Sequence, residues 1–131
     1  MPLMPKIEYE DASPEVRAVY DDIRATRNTD YINDIWKVLA NQPTLLARYW
    51  QQVKETMGPG ALDPLTKELI YVAVSMTNTC EYCTATHTAS ARAKGMSQAQ
   101  FGELLAVVGL ANQLNVVVSG VQVEVDQRYR S

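Results

Sequence analysis

The sequence contains little cysteine, little histidine and no excess of positive charge. Its 131 residues include 12 basic and 15 acidic side chains, and the net charge of −3 provides no basic surface for nucleic acid or an anionic membrane. Residues 1–8 contain no apolar signal core, so we expect a cytoplasmic protein rather than a secreted one. About half of the residues are apolar, which argues against disorder and, at this length, predicts one domain over residues 1–131.

Charged residues are missing from residues 104–123, a stretch long enough to span a bilayer. Polar side chains and glycines interrupt its apolar residues, which makes it too polar for a spanning helix. The polar positions are Asn112, Gln113, Asn115, Ser119 and Gln122. We therefore expect no membrane span and interpret the stretch as two helical pieces, buried in a core or in a subunit interface.

The few reactive side chains that the sequence does contain lie together. Both cysteines and the single histidine fall in the run Cys80-Glu81-Tyr82-Cys83-Thr84-Ala85-Thr86-His87. Structural residues scattered through a core would rarely cluster in this way. We therefore expect the function to reside in this segment.

Signals for helix ends recur along the chain. Ser13-Pro14 and Asp63-Pro64 each combine a capping side chain with a proline in the first turn. Pro43 can open another helix, and Ser97 predicts a further start. Gly95 is a natural terminator for the helix that carries the cysteines.

The segment after residue 110 fits two patterns. Val121, Val123 and Val125 alternate with polar residues as they would in a strand. They also continue a helical face from Leu110, and no second strand exists for them to pair with, so we predict a helix. The predicted architecture is all-α, with six or seven short helices and with residues 1–12 as an extended arm.

The spacing within the cysteine segment has chemical consequences. Asn78 and Glu81 resemble a capping box, which predicts that a helix begins at Thr79 or Cys80. Positions 80, 83 and 87 then share one helix face, and residues three apart lie about 5–6 Å from each other, close enough for a disulfide. The helix dipole stabilises a thiolate near the N-terminus, and a histidine one turn after position 83 can accept a thiol proton.

Three interpretations of this segment remain open on spacing alone. The first is a redox dithiol, in which a nucleophilic sulfur, a base and a second sulfur form and break a disulfide. The second is a metal site, although zinc usually requires four protein ligands, so Glu68 would have to complete the set. The third is a pair of small buried cysteines beside a hydrogen-bonded histidine. We favour the dithiol and expect neither a metal nor a cofactor.

The arrangement of Glu68, Cys80, Cys83 and His87 resembles the E-x11-C-x-x-C-x3-H signature of the AhpD-like alkylhydroperoxidases. These proteins belong to the carboxymuconolactone decarboxylase superfamily. The flanking sequence is also similar to that of the family over about residues 33–110. The segments that match are Leu39-Ala40-Asn41-Gln42-Pro43 with Leu45-Leu46, Leu62 with Thr66-Lys67-Glu68-Leu69, and Gly95-Met96-Ser97.

The resemblance implies a fold, an activity and partners. The fold would be all-helical and would assemble into a homo-oligomer, a trimer or a hexamer. Cys83 would attack a hydroperoxide and become a sulfenic acid, and Cys80 would condense with it to form a disulfide. His87 would activate Cys83, and Glu68 would relay protons. A dithiol partner, such as a lipoyl domain or a thioredoxin-like protein, would reduce the disulfide.

Three questions concern the roles of individual residues. The helix dipole favours Cys80 as the more acidic thiol, whereas the resemblance assigns the attack to Cys83. Tyr82 stands where the peroxidatic branch has a second histidine, so its hydroxyl would have to substitute in the relay, or Tyr82 is a packing residue. Glu68 follows Lys67 in an otherwise apolar helix and could be a salt-bridged surface residue instead of a proton relay.

Two functions of other classes compete with peroxide reduction. A carboxymuconolactone-type decarboxylase would use histidine and polar residues without a dithiol, yet the only histidine belongs to the cysteine segment. A non-catalytic oligomeric protein would keep the fold, with a structural or metal-binding pair of cysteines whose thiols have an ordinary pKa of about 8.5.

Overall fold

A computed structural model describes residues 3–130, which contain six α-helices and no strand. The helices are α1 (Pro14–Arg27), α2 (Asp34–Leu39), α3 (Pro43–Met57), α4 (Pro64–Thr77), α5 (Glu81–Ala93) and α6 (Gln98–Gly120). The predicted all-α class is therefore confirmed. The chain divides into two compact units, one ending at Gly58 and the other beginning at Pro59. A single domain over residues 1–131 stays a prediction.

The first unit is built around α3, which packs against α1 and α2. Its core contains the side chains of Tyr20, Ile23 and Leu46, all of which are fully buried. The indoles of Trp36 and Trp50 meet edge to face, with ring centroids 5.6 Å apart. The predicted start of α1 is confirmed, because the Ser13 hydroxyl accepts a hydrogen bond from the backbone N–H of Val16.

The N-terminal arm is extended except for one 3₁₀ turn, Tyr9–Asp11, that the sequence did not predict. The turn forms where the guanidinium of Arg17 donates hydrogen bonds to the carbonyl oxygens of Tyr9 and Glu10. The arm is held further by the Tyr20 hydroxyl, which donates to the carbonyl of Ile7 over 2.8 Å. The first two residues of the predicted arm lie outside the described residues.

The second unit is built around α4, which packs against both α5 and α6. The predicted caps are confirmed at two starts: Asp63 accepts a hydrogen bond from the Thr66 backbone, and Ser97 forms a reciprocal capping box with Gln100. Gly95, with φ of 99°, follows the end of α5 in the left-handed conformation expected of a terminator.

The C-terminal stretch differs from the prediction in three ways. It forms one continuous helix of 23 residues instead of two pieces, and this helix ends at Gly120 instead of continuing to Val125. Gln122 has φ of 53°, a left-handed conformation in which an α-helix does not continue. No residue of α6 is buried within the described chain, and Leu105 is 45% exposed.

Helix α6 is apolar around its whole circumference. Its length and mean hydropathy alone would allow it to cross a membrane. Such composition also occurs in helices that are covered by protein on several sides. Within the second unit only α4 makes extensive contact with α6, which leaves most of its apolar surface exposed.

Candidate active site

The two cysteines form a disulfide at the junction of α4 and α5. Their Cα atoms lie 5.3 Å apart, within the range expected from the spacing. The chain reverses direction at Thr79, which has φ of 56°. The backbone N–H of Cys80 then donates to the carbonyl oxygen of Ser75 over 3.0 Å, which attaches the disulfide to the last turn of α4.

The predicted capping box of Asn78 and Glu81 is wrong. Asn78 ends α4, and Cys80 itself occupies the N-cap of α5, so that Glu81 is the first helical residue. The sulfur of Cys80 accepts a hydrogen bond from the backbone N–H of Cys83 over 3.3 Å. The left-handed turn at Thr79 is the physical reason, because it separates the helices and moves the start of α5 to position 81.

His87 and Glu68 form the polar centre of the site. His87 lies one turn after Cys83 on α5, and its Nδ1 is 2.7 Å from Oε2 of Glu68 on α4. The Glu68 side chain is 5% exposed, so the contact is shielded from solvent. The structure therefore brings together the glutamate and histidine that the sequence singled out, and it places Glu68 in the interior instead of at the surface.

A third residue, Lys94, contacts the other carboxylate oxygen of Glu68. Lys94 is the C-cap of α5, and its Nζ lies 3.1 Å from Oε1 of Glu68. Burial raises the pKa of the Glu68 carboxyl group, but hydrogen bonds from His87 and Lys94 outweigh burial and hold this pKa below its ordinary value of 4.5. Glu68 is consequently a carboxylate at neutral pH.

The charge of Glu68 determines the tautomer of His87. A carboxylate can only accept hydrogen bonds, so the proton between the two side chains belongs to Nδ1. In the neutral imidazole the lone pair is then on Nε2, which is the nitrogen left available for proton transfer. The arrangement provides a base on the helix face that it shares with Cys83.

Two aromatic residues border the site in different ways. The ring of Tyr71, on α4, stacks on the imidazole of His87, with centroids 3.6 Å apart and an interplanar angle of 20°. Tyr82, which we predicted as a possible relay residue, is 44% exposed. Its participation in proton transfer stays a prediction.

Sequence reasoning missed Tyr71 and Lys94, although helical spacing contained a signal for both. Tyr71 follows Glu68 by three residues, and Lys94 follows His87 by seven, so each shares a helix face with a residue that had been identified. Between residues 3 and 130, no three His, Cys, Asp or Glu side chains group together in a way that could hold a metal ion.

A groove of about 290 Å³ runs between the end of α4 and the middle of α6. Its walls are mainly apolar, and the Asn112 amide, which donates a hydrogen bond to the Thr77 hydroxyl over 3.0 Å, supplies polar atoms. Thr77 and Asn78 line the groove and immediately precede the turn that leads to the disulfide.

Comparisons with known proteins agree with this description. The model of the carboxymuconolactone decarboxylase family matches residues 43–123. The crystal structure of the alkylhydroperoxidase AhpD core from Rhodospirillum rubrum is similar over 100% of this chain and 98% of that chain, with 52% sequence identity and a TM-score of 0.96. No curated protein matches the chain. Both the family match and the structural match show that the chain belongs to the carboxymuconolactone decarboxylase family, as an AhpD-like member.

Proposed function

We propose that the protein is a thiol-dependent peroxidase that reduces alkyl hydroperoxides through the Cys80–Cys83 dithiol. The observation that carries this proposal is the buried Glu68 carboxylate bonded to the only histidine, on the helix that holds the disulfide. A purely structural disulfide has no need of a base one turn away. The similarity to the Rhodospirillum rubrum alkylhydroperoxidase core supports the same class of reaction.

In the first proposed step, Cys83 transfers its thiol proton to Nε2 of His87. The resulting thiolate attacks the hydroperoxide, a sulfur–oxygen bond forms, and the oxygen–oxygen bond breaks. The departing alkoxide takes the proton from the imidazolium and leaves as an alcohol. Cys83 is then a sulfenic acid, and His87 is again neutral. Glu68 stabilises the transient imidazolium through the hydrogen bond at Nδ1.

In the second proposed step, the Cys80 thiolate attacks the sulfur of the Cys83 sulfenic acid. A disulfide forms, and hydroxide leaves and is protonated to water. The N-cap position suits Cys80 to this role, because the helix dipole and the Cys83 backbone N–H both favour a negative charge on its sulfur. A dithiol, such as a lipoyl group or a thioredoxin-like protein, then supplies two electrons by thiol–disulfide exchange.

Intact mass with thiol trapping tests the redox couple. One equivalent of an alkyl hydroperoxide is expected to remove two hydrogens from the reduced protein and to protect both thiols from alkylation. Dithiothreitol should restore both thiols. Thiols that stay fully alkylatable after peroxide would contradict the proposal. Consumption of a lactone acid that is insensitive to thiol alkylation would instead support a carboxymuconolactone-type decarboxylase.

We also propose that the protein functions as a homo-oligomer in the cytoplasm. Helix α6 leaves large apolar side chains exposed, including Leu110 at 57%, Leu114 at 49% and Val116 at 73%. Contiguous apolar surface of this kind marks interfaces between proteins. A second copy of the chain suits a helix with scattered amide side chains better than a lipid environment does, because each buried amide requires a hydrogen-bonding partner.

Sedimentation velocity tests this assembly. We expect the wild-type chain to sediment as an oligomer and Leu114→Glu to sediment as a monomer, because a charge in an apolar interface is costly to bury. Leu3→Glu, which places the same charge on a fully exposed side chain outside α6, is the matched control and should remain oligomeric. A monomeric wild-type protein, or one that sediments with lipid vesicles, would contradict the proposal.

A further inference from the structure

The carboxylate of Glu68 is shared between two donors, the imidazole of His87 on α5 and the ammonium group of Lys94 at the C-cap of α5. Oε2 faces Nδ1 of His87 at 2.7 Å, and Oε1 faces Nζ of Lys94 at 3.1 Å. Each oxygen therefore has its own donor. The Glu68 side chain is 5% exposed and the Lys94 side chain 39%, so Lys94 reaches from the surface to a buried negative charge.

Removal of Lys94 would leave one oxygen of this buried carboxylate without its cationic donor. A buried carboxylate that lacks a partner is relieved most readily by taking up a proton. A protonated carboxyl group can donate its hydrogen bond, and Nδ1 of His87 would then have to accept it. The imidazole proton would move to Nε2, and the nitrogen that is proposed to receive the thiol proton would have no lone pair.

We propose that Lys94 is a positioning residue that keeps Glu68 ionised and thereby holds His87 in the tautomer with its proton on Nδ1. The meaning of this tautomer for catalysis rests on the proposed peroxidase function, but the link between Lys94 and the tautomer does not.

The groups that face Glu68 and His87 come from α4 and from α5 with its caps. On α4, Glu68 contacts the imidazole directly, and Tyr71 stacks on it. On α5 itself, Lys94 bonds to Glu68, and the two cysteines share a disulfide. Helix α6 packs against α4 and contains a single charged residue, Glu103, which is exposed. Lys94 is thus a cation that the structure places on Glu68.

The single histidine makes this proposal directly measurable by nuclear magnetic resonance. Imidazole ¹⁵N and ¹H resonances report the tautomer, and only His87 contributes to them. In the oxidised wild-type protein at neutral pH, we expect the neutral imidazole to carry its proton on Nδ1. In Lys94→Met at the same pH, we expect the Nδ1–H form to lose population to the Nε2–H form.

Two variants control for the change of charge. Lys94→Arg keeps a cation within reach of Glu68 and should keep the His87 proton on Nδ1, as in the wild type. Lys54→Met removes a lysine of similar exposure that is bonded instead to Asp22, and it should leave the His87 resonances unchanged. If Lys94→Met does not fold, Lys94→Gln keeps a donor, removes the charge and is expected to lower the Nδ1–H population in the same way. A tautomer in Lys94→Met or Lys94→Gln that matches the wild type would overturn the proposal.

A rate measurement separates failure of this inference from failure of the proposed function. In Lys94→Met at neutral pH, the rate of oxidation of the dithiol by hydroperoxide should fall in proportion to the population of the Nδ1–H form. A changed tautomer without any peroxide reaction in the wild type would refute the peroxidase and retain the role of Lys94. A normal peroxide reaction with an unchanged tautomer would refute only the role of Lys94.

Discussion

Cys83→Ser is expected to abolish peroxide-dependent turnover, with a loss of about 10³-fold or more, because a serine hydroxyl cannot replace a thiolate as nucleophile toward peroxide oxygen. The substitution is nearly isosteric and lies in an ordinary turn of α5, so the fold should persist. The measurement is consumption of an alkyl hydroperoxide with an excess of dithiol reductant. Unchanged turnover in Cys83→Ser would remove the basis of the peroxidase assignment.

Cys80→Ser is the matched variant. It should still consume one equivalent of peroxide and accumulate a sulfenic acid on Cys83, which a dimedone adduct would reveal by mass. Serine at this position retains an oxygen that can cap α5, so the helix start is preserved. The reverse pattern, an adduct in Cys83→Ser and none in Cys80→Ser, would show that the N-cap thiol attacks the peroxide, as the helix dipole alone would favour.

Glu68→Gln is expected to lower kcat/KM for hydroperoxide by about 10²-fold, because the neutral amide stabilises the His87 imidazolium less than a carboxylate does. The amide has nearly the same shape, so the comparison isolates the charge. Glu103→Gln, an exposed glutamate on α6, is the control and should retain full activity. An undiminished rate in Glu68→Gln would show that the buried pair has only a structural role.

The same variant should change the acid stability of the protein. The pKa of Glu68 in the folded protein lies below 4.5, so its ionisation stabilises the fold above the unfolded pKa, and this contribution is lost as pH falls through the lower folded value. At pH 7, Glu68→Gln should reduce the free energy of unfolding by about 1–3 kcal/mol. The difference from wild type should shrink below about pH 4.5, and denaturant titrations at several pH values would measure it. A constant difference would exclude Glu68 as the titrating group.

Local signals in the sequence were sufficient for most of the fold. Ser13, Asp63 and Ser97 each combine a short polar side chain with an adjacent apolar pattern, and each caps a helix in the structure. The disulfide between the two cysteines was equally predictable, because their spacing of three residues determines the separation of their Cα atoms. These features depend on contacts within one or two turns of the chain.

Features that depend on contacts between helices were harder to predict. Helical spacing places Lys94 on the same face as His87, but it does not indicate that Lys94 reaches Glu68, which lies 26 residues earlier on another helix. The turn at Thr79 was equally hard to predict, because a left-handed threonine is uncommon. The capping-box pattern at Asn78 also predicted an earlier start for α5. Burial of α6 in a core, one of the two predicted alternatives, is wrong for the described residues, whereas its burial in a subunit interface stays a prediction. Apolar composition alone does not specify which surface covers a helix.

The capping sulfur of Cys80 provides a spectroscopic reporter within the backbone. Its hydrogen-bond donor is the amide of Cys83, so this amide proton lies against the atom whose charge changes when the disulfide is reduced. A thiolate is a stronger acceptor than a disulfide sulfur, and the amide resonance of Cys83 should move downfield on reduction. Isotopic labelling of the backbone would therefore allow the redox state to be followed in real time, without a dye or an alkylating reagent.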